Sequence, residues 1–283
     1  MALELILTVL ALIVLLLAAY CDLKTREIPD WLNYSFFFAA IGIRGLFSLE
    51  QGGAILLSGI LGILAAYAVG YVFYLTRQWG GGDMKLLLGI GAVIGINYPL
   101  THQSFRLLWY FLLLLFMGAL YGLVWMSYIA YRERNQFTKA FLKNLNKTRK
   151  LHLGSAVLSL GLGLIGMYIP TILPLAFFPL GLFYLLLFVH SVEHSCFLVN
   201  VDPEKVTEGD WLAQEVITSG KKMMGRKTLN LQDIHYLQEL KATGKIHTVL
   251  IKIGIPFVPS FLLAYIALLV GTPFIPWILG FLA

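Results

Sequence analysis

Apolar residues run along this chain in long unbroken blocks, near residues 3–21, 31–49, 53–76, 84–100, 105–131, 152–170, 171–191 and 250–282. Blocks of this length are too long for strands. Most approach the roughly 20 residues that a helix needs to cross a bilayer. The pattern predicts an all-α polytopic membrane protein with six to eight transmembrane helices, eight being the working count. Pro170 marks a turn or kink between two short spans. The last block holds Pro256, Pro259, Pro273 and Pro276 and reads as one broken helix, or as a helix plus a re-entrant piece. The first block is read as a retained span: its only charge is Glu4, so it lacks the basic start of a signal peptide.

The pattern changes character between 192 and 249. Residues 196–201 read as a short strand and 211–218 as a second. Asn230 to Ala242 reads as a helix with Leu231, Ile234, Leu237 and Leu240 on one side and Gly244 as its stop. The chain therefore divides into transmembrane helices over 1–191, a small α+β segment over 192–249, and a C-terminal transmembrane segment over 250–283.

Composition supports lipid as the solvent. Hydrophobic residues are 59% of the chain and charged residues 13%, against roughly a quarter charged in soluble domains. Charge then orients the spans. With eight of them, the loops 22–30, 77–85, 132–151 and 192–249 share one side and hold 2, 2, 7 and 7 Lys and Arg, with Lys252 just following. The opposite side has only Arg44 and Arg106. The rule that basic loops stay inside makes the first side cytoplasmic. The net charge of +6 is thus a topology signal, not a nucleic-acid signal. The 132–151 loop reads as a basic connector touching anionic headgroups. Cys21 and Cys196 lack zinc-site spacing, and His190 with His194 supplies too few ligands for a metal, so no metal and no cofactor is expected.

Two carboxylates stand at span ends on the cytoplasmic side. Asp22 follows the first span, within Cys21-Asp22-Leu23-Lys24-Thr25-Arg26-Glu27-Ile28-Pro29-Asp30. Asp83 enters the fourth, within Gly80-Gly81-Gly82-Asp83-Met84-Lys85. They meet if the first and fourth helices pack. Two carboxylates sharing a site hold one proton between them, which suits peptide hydrolysis: one activates water while the other donates to the scissile carbonyl. Glycines before Asp83 let an extended peptide come close. Each Asp also has a plainer reading. Asp83 fits an N-cap for a helix starting at Met84, and Asp22 fits an ordinary juxtamembrane charge. Asp30 reads as a cap. Trp79 and Trp109 read as interface anchors, His102 as interfacial, and Gly91 and Gly95 as close-packing glycines.

Gly80-Gly81-Gly82-Asp83 with Lys85 resembles the Gly-x-Gly-Asp signature of type IV prepilin peptidases and archaeal preflagellin peptidases. Asp22, Arg26, Ile28 and Pro29 fill the pattern around the family's upstream aspartate. The resemblance lies within roughly residues 1–100, is closest to the archaeal branch, and extends weakly to Gly254–Pro259. It implies a membrane aspartic endopeptidase with Asp22 and Asp83 catalytic and with Gly80, Gly81, Gly82, Lys85, Arg26 and Pro29 shaping the site. It implies that the substrate is a pilin or archaellin precursor with a short basic leader, cut at the cytoplasmic face of the cell membrane. With two cysteines, the chain lacks the four-cysteine site of the methylating bacterial members. Between Glu193 and Glu215 six acidic residues face only Lys205, a net of −5 that could attract a basic leader. The rival readings are a transporter or channel using Asp22 and Asp83 as a proton or cation site, and a catalytically silent scaffold of a pilus or archaellum machine.

Overall fold

The computed structural model describes residues 2–76, 78–218 and 221–271. In chain order its helices are α1 (Ala2–Thr25), α2 (Asp30–Gln51), α3 (Ala54–Leu75), α4 (Gly81–Ile94), α5 (Arg106–Arg132), α6 (Arg134–Lys147), α7 (Arg149–Tyr168) and α8 (Phe178–Ser195). Then come β1 (Leu198–Val201), β2 (Trp211–Leu212), β3 (Val216–Thr218), β4 (Lys221–Met224), α9 (Leu231–Ala242), β5 (Val249–Lys252) and α10 (Val258–Gly271). The protein is mostly helical, with a small β segment near the C-terminus. Among the described residues six helices are long and apolar enough to cross a membrane: Ala2–Thr25, Asp30–Gln51, Ala54–Leu75, His102–Arg132, Arg149–Tyr168 and Pro170–Ser195, two of them opening on short 3₁₀ turns.

One of the eight expected spans comes out differently. α4 has 14 residues, about 21 Å of helix at 1.5 Å per residue, against a hydrocarbon core of about 30 Å; α10 is described over Val258–Gly271. The block at 84–100 is helical only to Ile94, because Gly95 takes φ +69° and donates its N–H back to Gly91 at 2.9 Å. Gly95 is therefore a helix stop as well as a close-packing glycine, since a Cβ there would meet Arg44 Nη2 at 2.7 Å and Ser58 Oγ at 2.8 Å; Gly91 also packs closely, because a Cβ there would press into the Gly62 carbonyl of α3. Residues 250–252, which hydropathy joins to the last span, belong instead to strand β5. Pro259 sits in the first turn of α10, where a missing N–H costs nothing. Pro273 and Pro276 lie outside the described residues.

The chain forms two compact units, one of residues up to Gly122 together with those from Pro256, the other of Leu123–Ile255. In the first, α4 is wrapped by α2 and α3, and α1 packs on both α2 and α10. Small residues set these approaches: Gly89 leaves room for the Phe36 ring, and Gly62 and Gly91 put two backbones in contact. The core runs through Leu15, Phe36, Leu86, Ile90, Tyr110 and Phe261. Arg44, expected to mark the outer side, is instead 6% exposed. Its guanidinium donates to the carbonyls of Ala92 (2.6 Å), Val93 (2.8 Å) and Ile55 (3.1 Å) and to Ser58 Oγ (2.6 Å). A fixed cation at the carbonyl end of α4 satisfies acceptors that the early stop leaves open and complements the helix dipole.

The second unit holds the 132–151 segment. It is helix α6, not a loop. Phe137 and Phe141 recur one turn apart, and Phe137 meets Phe188 of α8 with ring centroids 5.6 Å apart. Asn144 Nδ2 donates to Ser191 Oγ at 3.1 Å, while Lys139, Lys143 and Lys147 form an exposed stripe. His190 and His194 lie on the final turns of α8, as a helix-end pair with ring centroids 4.3 Å apart.

The small α+β segment packs α9 on a three-stranded antiparallel sheet of order β1-β5-β2, around Leu212, Leu229, Leu237 and Val249. The expected strand over 211–218 is split. β2 joins that sheet, whereas β3 forms a separate hairpin with β4. Asn230 caps α9 by accepting from Asp233 N at 2.9 Å, and Gly244 follows it at φ +68°.

The acidic run of 193–215 is largely answered within the same unit. Lys241 Nζ lies 2.8 Å from both Asp202 oxygens and 2.7 Å from Glu204, Lys222 meets Glu215 at 2.5 Å, and Lys252 pairs with Glu193. From 193 to 252 there are eight acidic and eight basic residues. The partners lie beyond the window that gave −5. Lys241's hydrogen bond holds the Asp202 carboxyl below its ordinary value, and Asp202 holds the Lys241 ammonium above its own. The stabilisation is therefore present between the two unfolded values, about pH 4 and about pH 10. It is lost as pH falls through the lowered carboxylate or rises through the raised ammonium. Lys241→Met is expected to weaken hydrogen-exchange protection of β1 and α9 at pH 7 and to weaken it less as pH falls and the Asp202 carboxyl takes up its proton. Equal loss at every pH would assign Lys241 a packing role.

Candidate active site

The site is built where α1 ends and α4 begins. α1 stops because Arg26 adopts φ +60°, the left-handed conformation that closes a helix, with its N–H bonded to Asp22 O at 2.8 Å. Pro29, at φ −58° and ψ 134°, then turns the chain into α2. Between them Ile28 lies against Gly82, its atoms 3.5–3.6 Å from where a Cβ would stand. The two halves of the motif thus touch: the Ile-Pro step leans on the glycine turn.

Asp22 lies on the last turn of α1 and is 6% exposed. Its Oδ2 accepts the Val258 N–H at 2.8 Å, at the start of α10. Asp83 is half-buried in the first turn of α4. Its Oδ2 accepts the Gly80 N–H at 3.1 Å. The helix begins at Gly81, so Asp83 bonds back from inside the first turn instead of standing ahead of Met84. The capping geometry and the site geometry coexist in one side chain. α1 and α4 are in contact, and the Asp22 and Asp83 carboxylates are within electrostatic reach of each other.

The glycines differ in their surroundings. Nothing lies within 4 Å of a Cβ placed on Gly81, and only Asp83 Oδ2, at 3.6 Å, lies near one on Gly80. This edge of backbone is open to an approaching chain. Lys85, two residues past Asp83, pairs with Asp30 Oδ1 at 2.6 Å and sits 5.1 Å from the centre of the Tyr34 ring. Asp30 is indeed the first residue of α2, but it also anchors Lys85 beside the site.

Three contributors escaped the sequence reading. Trp79, expected at the membrane interface, is buried, with its ring centroid 4.4 Å from Phe73, 5.7 Å from Phe261 and 6.0 Å from Phe257. It wedges the turn that presents Gly80–Asp83. Asn33, 1% exposed, donates to the Gly82 carbonyl over 3.4 Å, and its Oδ1 has no partner among the described residues. Val258 supplies the backbone donor to Asp22. A polar Asn one turn into an apolar helix was a visible signal; the other two were not. Among the described residues no three His, Cys, Asp or Glu side chains gather into a group fit to hold a metal.

Residues 9–127 match the type IV leader peptidase family, a stretch that includes both aspartates. A preflagellin peptidase of Methanocaldococcus jannaschii is 33% identical over 81 residues, 28% of this chain and 34% of that protein. A preflagellin peptidase of Methanococcus voltae is 25% identical over 138 residues, 46% of this chain and 59% of its own length. A prepilin peptidase of Methanothermobacter thermautotrophicus is 26% identical over 106 residues, 37% and 28% of the two chains. The matched stretch spans about a third of the length of the M. jannaschii relative. No solved structure matches.

Proposed function

We propose that this chain, which matches the type IV leader peptidase family over residues 9–127, is a membrane aspartic endopeptidase. In this reading it removes the short basic leader from pilin- or archaellin-like precursors. The observation that carries the reading is the contact of α1, which carries Asp22 on its last turn, with α4, which carries Asp83 in its first turn beside a glycine edge open to an incoming chain. Asp22 and Asp83 share one proton. The ionised carboxylate takes a proton from water as that water attacks the scissile carbonyl. The protonated one donates to the carbonyl oxygen; the carboxyl that took the water's proton then passes it to the leaving nitrogen as the C–N bond breaks, and the first donor recovers its proton from the tetrahedral hydroxyl. The precursor's backbone lies extended along Gly80–Gly82, with Arg26, Pro29 and Lys85 holding the two segments that frame it. Asp22 is at the end of α1 and Asp83 at the start of α4, so cleavage falls at a membrane boundary. The bias of basic loops supports a cytoplasmic position for that boundary.

Purified full-length protein incubated with a precursor carrying a basic leader and a hydrophobic helix is expected to cut once, between the two. An intact precursor after long incubation would overturn the reading. The turnover rate is expected to be bell-shaped in pH, because one member of the pair must be ionised and the other protonated. Chelators are expected to leave the rate unchanged; a rate lost to chelator and restored by zinc would contradict the two-carboxylate chemistry.

A further inference from the structure

The first unit holds a second polar region, at the opposite ends of α1 and α4 from Asp22 and Asp83. A cavity of about 780 Å³ is lined there by Glu4, Arg44, Ser58, Asn97, Gln103 and Arg106, among others. Thr8 on its wall and Asp22 are roughly 20 Å apart along α1. The cavity is therefore separate from the site described above.

Its charged side chains do not balance. Two guanidiniums face one carboxylate, an excess of one positive charge. Arg44 is buried, and the oxygens that accept from it, three carbonyls and the Ser58 hydroxyl, are neutral. Arg106 Nη1 is 3.8 Å from Glu4 Oε1, too far for a hydrogen bond, and the Glu4 side chain is 69% exposed. Arg106 Nε is buried with no hydrogen-bond partner among the described residues. Arg44 is thus a buried cation without a bonded counter-charge, which attracts an anion strongly in surroundings of low dielectric, and Arg106, whose side chain is 31% exposed, is open to one. The planar fork of arginine suits phosphate oxygens. The cavity wall also carries Leu5, which is 65% exposed, and Leu269, so its edge is apolar.

We propose that this cavity binds a phosphate group through Arg106, with Arg44 as the fixed charge behind it. The apolar edge favours a phosphate carried by a membrane lipid over the free ion. The site neither uses nor requires the peptidase chemistry. It gives the end of the molecule away from Asp22 and Asp83 a lipid anchor, at the point where α4 stops short of the bilayer's width.

The test uses full-length protein stripped of lipid in a neutral detergent. Its melting temperature is titrated separately with short-chain phosphatidylglycerol and with inorganic phosphate. A saturable rise with phosphatidylglycerol is expected in the wild type. Arg106→Gln is expected to raise the half-saturating concentration about tenfold, the scale of one charge-assisted hydrogen bond. Glu4→Gln is expected to lower it several-fold, because the competing carboxylate is gone. The same variant pattern with inorganic phosphate alone, at similar concentrations, would keep the site and make the free ion its occupant. No saturable rise with either probe would overturn the proposal. So would equal responses of wild type, Arg106→Gln and Glu4→Gln, which would assign binding to the basic stripe of α6. If Arg106→Gln does not fold, the Glu4→Gln comparison still decides.

Discussion

Asp83→Asn is expected to lower turnover of a leader-bearing precursor by about 10²- to 10⁴-fold, the range for loss of a general acid–base group, while the protein stays folded and inserted. The amide oxygen of Asn still accepts the Gly80 N–H that Asp83 holds at 3.1 Å, so the start of α4 keeps its shape and only the ionisable group is removed. Asp22→Asn is expected to behave alike, since an amide oxygen also accepts from Val258 N. The internal control is Asp30→Asn. Asp30 pairs with Lys85 at 2.6 Å, but its side chain is 63% exposed, and exposed pairs contribute about 0–1 kcal/mol. That variant is expected to retain most of its turnover. Initial rates on a labelled precursor, beside melting curves for each variant, give the comparison. Full turnover in Asp83→Asn would sink the two-aspartate reading. Loss in Asp30→Asn equal to that in the other two would move the chemistry to a different carboxylate.

The largest effect on stability is expected at Arg44. Arg44→Met keeps much of the apolar stem but strands the Ala92, Val93 and Ile55 carbonyls and the Ser58 hydroxyl. Each buried acceptor left unpaired costs about 1–3 kcal/mol, so a loss of at least about 3 kcal/mol is expected. Arg44→Lys is expected to lose less, because an ammonium recovers part of the charge but cannot reach four acceptors spread over two helices. Unfolding equilibria in detergent measure the loss, and hydrogen exchange at 92–96 locates it. An Arg44→Met protein within about 1 kcal/mol of wild type would show that water reaches these carbonyls.

The long apolar blocks and the paired motifs were legible in the sequence because they are local. Hydropathy located α1, α2, α3, α5, α7 and α8, and the spacing of Asp22 and Asp83 relative to span ends picked out two side chains that the fold does bring near each other. What stayed hidden depends on partners far along the chain. Hydropathy over 84–100 averages through Gly95 and cannot register that one positive φ, held against an arginine from α2, ends the helix. Trp79 has the composition of an interface anchor, and is buried because Phe257 and Phe261 come from the far end of the sequence. The net of −5 came from a window that closed before Lys222, Lys241 and Lys252. A run of basic residues hid α6, whose reason to be helical is the face it lays on α8.

The bond between Asp22 and Val258 joins residues 236 positions apart, and the first unit is interrupted in sequence by the whole of the second. During synthesis Asp22 and Asp83 are both made early, yet the donor that holds Asp22 arrives only when residue 258 has left the ribosome. A nascent chain halted anywhere in the second unit already carries both carboxylates but has no Val258 N–H to hold the first of them. The order of translation therefore leaves Asp22 without this partner until the last described helix is delivered, so an unfinished chain carries both carboxylates before the contact that fixes the first of them exists.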